Sequence, residues 1–140
     1  MQHQSHTFQR PDLGLLLLRL AVGGLMIPHG IAKILGSLEP IQNMLSAKGL
    51  PVFLSYGVYL GEIVAPLLIV LGYFGRPAAI VFAFTMLLSI YLAYGLSGFG
   101  FNQYGGLHVE LNLLFLFGAL TLFFTGSGKY SIRKGTNKWD

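Results

Sequence analysis

The chain has 140 residues, of which 54% are hydrophobic and only 10% are charged. Soluble domains carry about 25% charged residues, so too few polar side chains exist here to cover a water-facing surface, and the composition indicates a membrane protein. The absence of cysteine excludes disulfide chemistry, Cys-ligated iron–sulfur clusters and covalent c-type haem, while the net charge of +4 makes a membrane surface the first partner to consider.

The pattern divides the chain into a mobile polar tail (1–12), a membrane domain (13–126) and a basic tail (127–140). Within the domain, apolar runs predict transmembrane helices at 13–35, 52–74, 78–97 and 107–125, each close to the ~20 residues that a ~30 Å hydrocarbon core requires. Pro28 and Pro66 lack amide hydrogens and should kink the first and second helices. The predicted fold class is therefore an all-α integral membrane four-helix bundle with antiparallel up-down topology.

Charged and polar side chains inside these spans form the candidate site. An ionised carboxylate in hydrocarbon costs roughly 2.5–3.5 kcal/mol on insertion scales, so Glu62, near the middle of the second span, needs a cation, a hydrogen bond or a proton. We predict a pair between Glu62 and Arg19 of the first span, because an axial offset of roughly 10 Å is within reach of two long side chains. The full candidate cluster comprises Arg19, His29, Lys33, Glu62, His108, Glu110 and Asn112.

Three of these candidates gather towards one edge of the bilayer. His29, His108 and Glu110 lie near the same ends of their spans, which predicts a pocket open to that side with Glu62 as its floor. Glu62, Glu110 and His29 are accordingly the candidate cofactor-binding residues. No metal site is predicted, and we expect no haem, because His29 and His108 lack the paired pattern on facing helices that b-type haem uses.

Basic residues outside the spans predict the orientation. The N-terminus, the loop between the second and third spans, and the C-terminus share one side and carry most of the cations, which are Arg10, Arg76, Lys129, Arg133, Lys134 and Lys138. The opposite side carries Lys48 and the boundary residue Lys33. Both termini should therefore be cytoplasmic in a multi-pass protein of a bacterial inner membrane.

As a set, these motifs resemble the DoxX family of small four-span bacterial membrane proteins. The matching segments are LGLLLLRLAVGGLMIPHGIAK, GLP, GEIVAPLLIVLGYFGRPAA, GGLHVELNLL and GSGKYSI, and the resemblance extends over nearly all of residues 13–132. Arg133 departs from the family pattern, which usually has an acidic residue there. The resemblance implies one of two roles for the chain. Some relatives are subunits of quinone-linked sulfur oxidoreductases, and others are associated with membrane complexes that handle oxidative or thiol stress.

Three functions stay open at this point. The chain is either a membrane subunit of a redox complex that binds a quinone, a carrier of protons or small molecules, or a structural and assembly protein. A buried carboxylate or histidine suits the first, because quinone reduction takes up protons. No self-sufficient catalytic motif is present. The partners expected are the lipid bilayer and either further copies of the chain or other membrane redox subunits, with no nucleic acid.

Overall fold

The computed structural model describes residues 10–140, and all but the last three residues of the predicted mobile tail lie outside that range. The described chain is helical, and an isolated bridge between Phe101 and Leu107 is its one β-type pairing. Its helices are α1 (Pro11–Leu35), α2 (Glu39–Ala47), α3 (Val52–Leu71), α4 (Gly75–Ala93) and α5 (Glu110–Thr125).

Three of the helices meet the length and hydropathy of a membrane span. α1, α3 and α4 have 25, 20 and 19 residues and mean hydropathies of 1.7, 1.8 and 1.7. α5 is as apolar but has 16 residues, about 24 Å of helix, which is shorter than a ~30 Å hydrocarbon core. The all-helical, membrane-compatible architecture is confirmed, and α5 reaches across less of the bilayer than the predicted span.

Turn chemistry explains where α3 and α4 end and begin. Gly72 takes a left-handed conformation (φ +66°), and the amide of Tyr73 donates to the carbonyl of Leu68, which ends α3 before residue 74. α4 begins at Gly75 rather than at 78, because Pro77 lies in the first turn of a helix, where its missing amide costs nothing.

The core of the bundle is packed by small and aromatic residues from four helices. Ala79 of α4 and Ala119 of α5 are fully buried, and Phe82 meets Phe115 edge to face with ring centroids 5.9 Å apart. On the outside, large apolar side chains such as Leu25, Phe84 and Phe117 are more than 60% exposed. A water-facing surface would not tolerate so many exposed apolar groups, whereas lipid tails accept them.

α1 and α3 approach each other through glycines. A Cβ at Gly23 would lie 2.6 Å from the carbonyl oxygen of Pro66, and one at Gly30 would lie 2.7 Å from the carbonyl oxygen of Glu62. These contacts run in opposite order along the two helices, and small residues are what permits backbones to come this close in a membrane.

Each of these two helices also contains a wide, π-helical turn, which the sequence did not predict. The turns cover Leu20–Gly24 in α1 and Leu60–Val64 in α3, on the N-terminal side of Pro28 and Pro66. π-helical turns are one of the recognised causes of helix bending and are frequent at functional sites. Glu62 lies in the middle of the second turn.

The residues after α5 pack onto the bundle at the end where α1 begins and the α3–α4 turn lies. The amide of Lys129 donates to the Asp12 carboxylate (2.8 Å), and the amide of Ile132 donates to the carbonyl of Leu71 (3.0 Å). The Arg76 side chain donates to the carbonyl of Asp140 (3.1 Å). We refer to residues 126–140 as the C-terminal segment.

Candidate functional site

The carboxylate of Glu62 forms an ion pair with Lys33. The ammonium of Lys33, one turn beyond Gly30 in α1, donates to Oε2 of Glu62 in the π-helical turn of α3. Gly30 determines this geometry, because its missing side chain lets α1 rest on the backbone of Glu62 and places Lys33 beside the carboxylate.

The pair is accessible from the side of the bundle. The side chain of Lys33 is 27% exposed and that of Glu62 is 10% exposed. Ile34, next to Lys33, and Leu60, two residues before Glu62, are more than half exposed. The ion pair is therefore partly exposed at the surface of the bundle where α1 and α3 meet, instead of being sealed in the core.

Arg19 occupies a different environment. Its guanidinium is buried and donates four hydrogen bonds to backbone carbonyls: to Ile69 (2.9 Å) and Val70 (2.6 Å) of α3, and to Ser127 (2.9 Å) and Tyr130 (2.8 Å) of the C-terminal segment. Ile69 and Val70 belong to the last turn of α3, whose carbonyls have no amide partners within the helix and carry the negative end of its dipole. Arg19 thus caps α3 and fastens the C-terminal segment to it.

The predicted Arg19–Glu62 pair was wrong. In the structure, Glu62 meets Lys33, and Arg19 meets carbonyl oxygens only, among the residues from Arg10 onwards. The cause is the register between α1 and α3: Glu62 lies at the level of Gly30, eleven residues or about 16 Å of helix beyond Arg19. That axial distance is larger than the roughly 10 Å assumed from the sequence, and the Arg19 and Glu62 side chains cannot bridge it.

Glu110 and His108 lie in a cavity of about 460 Å³ at the opposite end of the bundle from the C-terminal segment. Its wall is formed by the loop before α5, where the side-chain oxygen of Asn102 accepts hydrogen bonds from the amides of Tyr104 and Gly106. Glu62 and His29 do not line this cavity. The prediction of a single pocket with Glu62 as its floor was therefore wrong.

The remaining candidates, His29 and Asn112, belong neither to the ion pair of Lys33 and Glu62 nor to the cavity that contains Glu110. His29 is exposed and lies one turn before Lys33, on the same side of α1. Asn112 donates to the hydroxyl of Ser89 (3.2 Å) and links α5 to α4. Across the described part of the chain, no three His, Asp or Glu side chains come together in a way that could hold a metal ion.

Comparison with known proteins agrees with this architecture. Residues 14–95, which carry Arg19, Lys33 and Glu62, match the DoxX family model. The chain belongs to the DoxX family. It is also similar to the inner membrane protein YqjF of Escherichia coli (strain K12), with 34% identity over 127 residues, covering 91% of this chain and 95% of that protein. No solved structure matches it.

Family membership makes the apolar helices transmembrane helices. The matched segment spans nearly all of α1 and the whole of α2, α3 and α4, and the relative extends the similarity over α5. This DoxX chain is therefore a membrane protein, and the relative's location in an inner membrane agrees with the predicted one. The intramembrane ion pair between Lys33 and Glu62 lies wholly within the matched segment.

Proposed function

We propose that this chain is the membrane subunit of a quinone-linked redox complex, and that Lys33, Glu62 and His29 receive the quinone headgroup from the lipid side. The observation that carries the proposal is the ion pair between Lys33 and Glu62, which joins two membrane spans and is partly exposed. A hydrophobic ligand with a polar head dissolves in the bilayer and would reach such a site without crossing water.

The donors and acceptors of the site suit that ligand. A quinone, when bound, takes up two electrons and two protons to become the quinol, and the electrons would come from a redox partner subunit. Lys33 would donate a hydrogen bond to a carbonyl oxygen, while Glu62 holds the ammonium in place and His29, one turn away, would relay the two protons one after the other from outside the site. The exposed Ile34 and Leu60 would contact the apolar part of the ligand.

Orientation belongs to the same proposal. We place both termini in the cytoplasm, supported by the excess of basic residues at the end of the bundle that carries the C-terminal segment. In that orientation the ion pair lies nearer the periplasmic side. A C-terminal reporter that is active only in the periplasm would refute the orientation and leave the site itself untouched.

Binding of a soluble quinone analogue tests the site directly. The protein in lipid nanodiscs would be titrated with decylubiquinone and compared with Lys33→Met and Glu62→Gln variants. Lys48→Met is the matched control, because Lys48 lies outside the spans and stacks over the ring of Tyr91 at 4.8 Å. We expect both site variants to weaken binding roughly ten-fold or more, as loss of a charge-assisted hydrogen bond would, and the control to bind normally. Equal binding by all four proteins would refute the proposal.

A structural role is the second candidate, and one observation favours it. The ion pair joins α1 to α3 at the level where Gly30 packs on the backbone of Glu62, so it could serve only to fix that contact. A Lys33→Met, Glu62→Leu double variant separates the roles, because an apolar replacement preserves a packing function and removes a binding function. A stable double variant that still supports growth or quinone reduction would favour the structural role.

A further inference from the structure

A second polar cavity lies at the end of the bundle that holds the C-terminal segment, far from the ion pair of Lys33 and Glu62. It has a volume of about 240 Å³ and lies between the first turn of α1, the start of α4 and the end of α5. Its charged lining consists of three cations and two carboxylates, which are Arg76, Lys129, Lys134, Asp12 and Asp140. A cavity with both signs of charge is suited to a ligand that also carries both.

One carboxylate oxygen in this wall lacks a partner. Asp140 is 2% exposed, and its Oδ2 accepts from the amide of Asn137 (3.1 Å), while its Oδ1 accepts no hydrogen bond from any described residue. A buried acceptor without a donor is costly, and such groups in native structures usually have a partner that is a ligand, an ion or water. The cavity beside it therefore calls for a hydrogen-bond donor.

The cations of the cavity are arranged differently. The guanidinium of Arg76 is already engaged with the backbone carbonyl of Asp140 (3.1 Å), whereas the side chains of Lys129 and Lys134 are exposed at the rim. Lysine ammonium groups at a membrane boundary attract lipid phosphates. An anion would thus meet the lysines at the rim, and a cationic donor would meet the carboxylate inside.

We propose that this cavity binds a phosphoethanolamine group, with its ammonium near Asp140 and its phosphate near Lys129 and Lys134. The ligand would be the headgroup of an aminophospholipid, since the cavity lies where the helices leave the apolar part of the bundle. A primary ammonium has three N–H donors for the carboxylate, whereas a trimethylated ammonium has none. The site should therefore discriminate against phosphatidylcholine as well as against headgroups that lack a cation.

Native mass spectrometry of lipid retention tests this inference on the full chain. The protein would be equilibrated with dioleoyl phosphatidylethanolamine, phosphatidylcholine or phosphatidylglycerol. We expect the ethanolamine lipid to be retained roughly ten-fold better than the choline lipid, as a charge-assisted hydrogen bond would give, and better than the glycerol lipid. Equal retention of all three, or preference for the glycerol lipid, would show a non-specific basic surface and overturn the proposal.

Variants locate the site and identify the source of the group. Asp140→Asn should remove the preference for ethanolamine over choline, and Lys134→Gln should weaken retention of both. Lys138→Gln is the control, because Lys138 lies in the same segment but contacts the ring of Trp139 and does not line the cavity. Retained preference in Asp140→Asn would overturn the assignment. Competition with free phosphoethanolamine identifies the source of the group. Displacement of the lipid by free phosphoethanolamine would indicate a soluble ligand, whereas retention of the lipid would indicate a headgroup that needs its acyl chains to bind. The comparison of lipids on the parent protein stays decisive even where a variant melts early.

Discussion

The two cationic side chains of α1, Arg19 and Lys33, have opposite environments. Arg19 is enclosed and donates to four carbonyl oxygens, while Lys33 pairs with one carboxylate and stays partly exposed. Carbonyls of fixed backbone cannot move or change protonation, so Arg19 can only hold structure together. A carboxylate and an ammonium can exchange partners and protons. We infer that α1 carries its structural charge at one end and its functional charge at the other.

Replacing Arg19 should give the largest effect. Arg19→Met would remove the side-chain cap from the last turn of α3 and loosen the C-terminal segment, because the carbonyls of Val70, Ser127 and Tyr130 would lose their guanidinium donor. Because hydrogen bonds to charged groups contribute about 1.5–3 kcal/mol each and are not additive, we expect a loss of stability on the order of 3 kcal/mol or more. Thermal unfolding in detergent measures it.

Arg19→Lys is the matched comparison for that variant. Lysine keeps the charge but has three donors on one nitrogen instead of a planar fork, so it cannot reach α3 and the C-terminal segment together. We expect it to recover less than half of the lost stability. A fully stable Arg19→Lys protein would show that charge, and not the four-fold hydrogen bonding, is what the position requires.

Breaking the ion pair should cost less than removing Arg19. Glu62→Gln leaves the ammonium of Lys33 without its counter-charge between two spans, but Lys33 is 27% exposed and can turn towards the membrane edge. We expect a loss of about 1–3 kcal/mol in the single variant, and recovery in the Lys33→Met, Glu62→Leu double variant. Additive losses across this cycle, measured by thermal unfolding, would mean that the two residues do not interact.

The close contact between α1 and α3 can be tested without touching a charge. A Cβ at Gly30 would lie 2.7 Å from the carbonyl oxygen of Glu62, whereas one at Gly14 would meet nothing within 4 Å. Gly30→Ala should therefore destabilise the bundle by about 1–3 kcal/mol through overpacking, and disturb quinone binding by moving Lys33. Gly14→Ala should be neutral or slightly stabilising, because alanine favours helix. Equal melting temperatures would contradict this contact.

The sequence predicted the helices of the bundle more reliably than which side chains meet. The apolar runs and the charged residues within them follow from composition and hydropathy alone. The partner of Glu62 did not, because the register between two helices depends on their packing, and the sequence alone does not say whether Glu62 lies at the level of Arg19 or of Lys33. The position of Arg19 was equally hidden, since its acceptors are backbone carbonyls, which every residue has and no side chain reveals. The π-helical turn around Glu62 has no sequence signature either.

The smallest effect is expected at Glu110, which serves as a reference for Arg19 and for the ion pair between Lys33 and Glu62. Its side chain is exposed in the loop cavity before α5, next to Gly106, and that cavity contains neither Lys33 nor Glu62. Substitutions of exposed residues away from buried networks usually change stability by less than about 0.5 kcal/mol. We therefore expect Glu110→Gln to melt like the parent and to bind decylubiquinone normally, while Glu62→Gln loses binding. A thermal melt and a quinone titration on the same preparations measure both quantities. Loss of binding in Glu110→Gln at unchanged stability would mean that the ligand path includes the loop cavity, and the functional charge of this chain would then extend beyond α1 and α3.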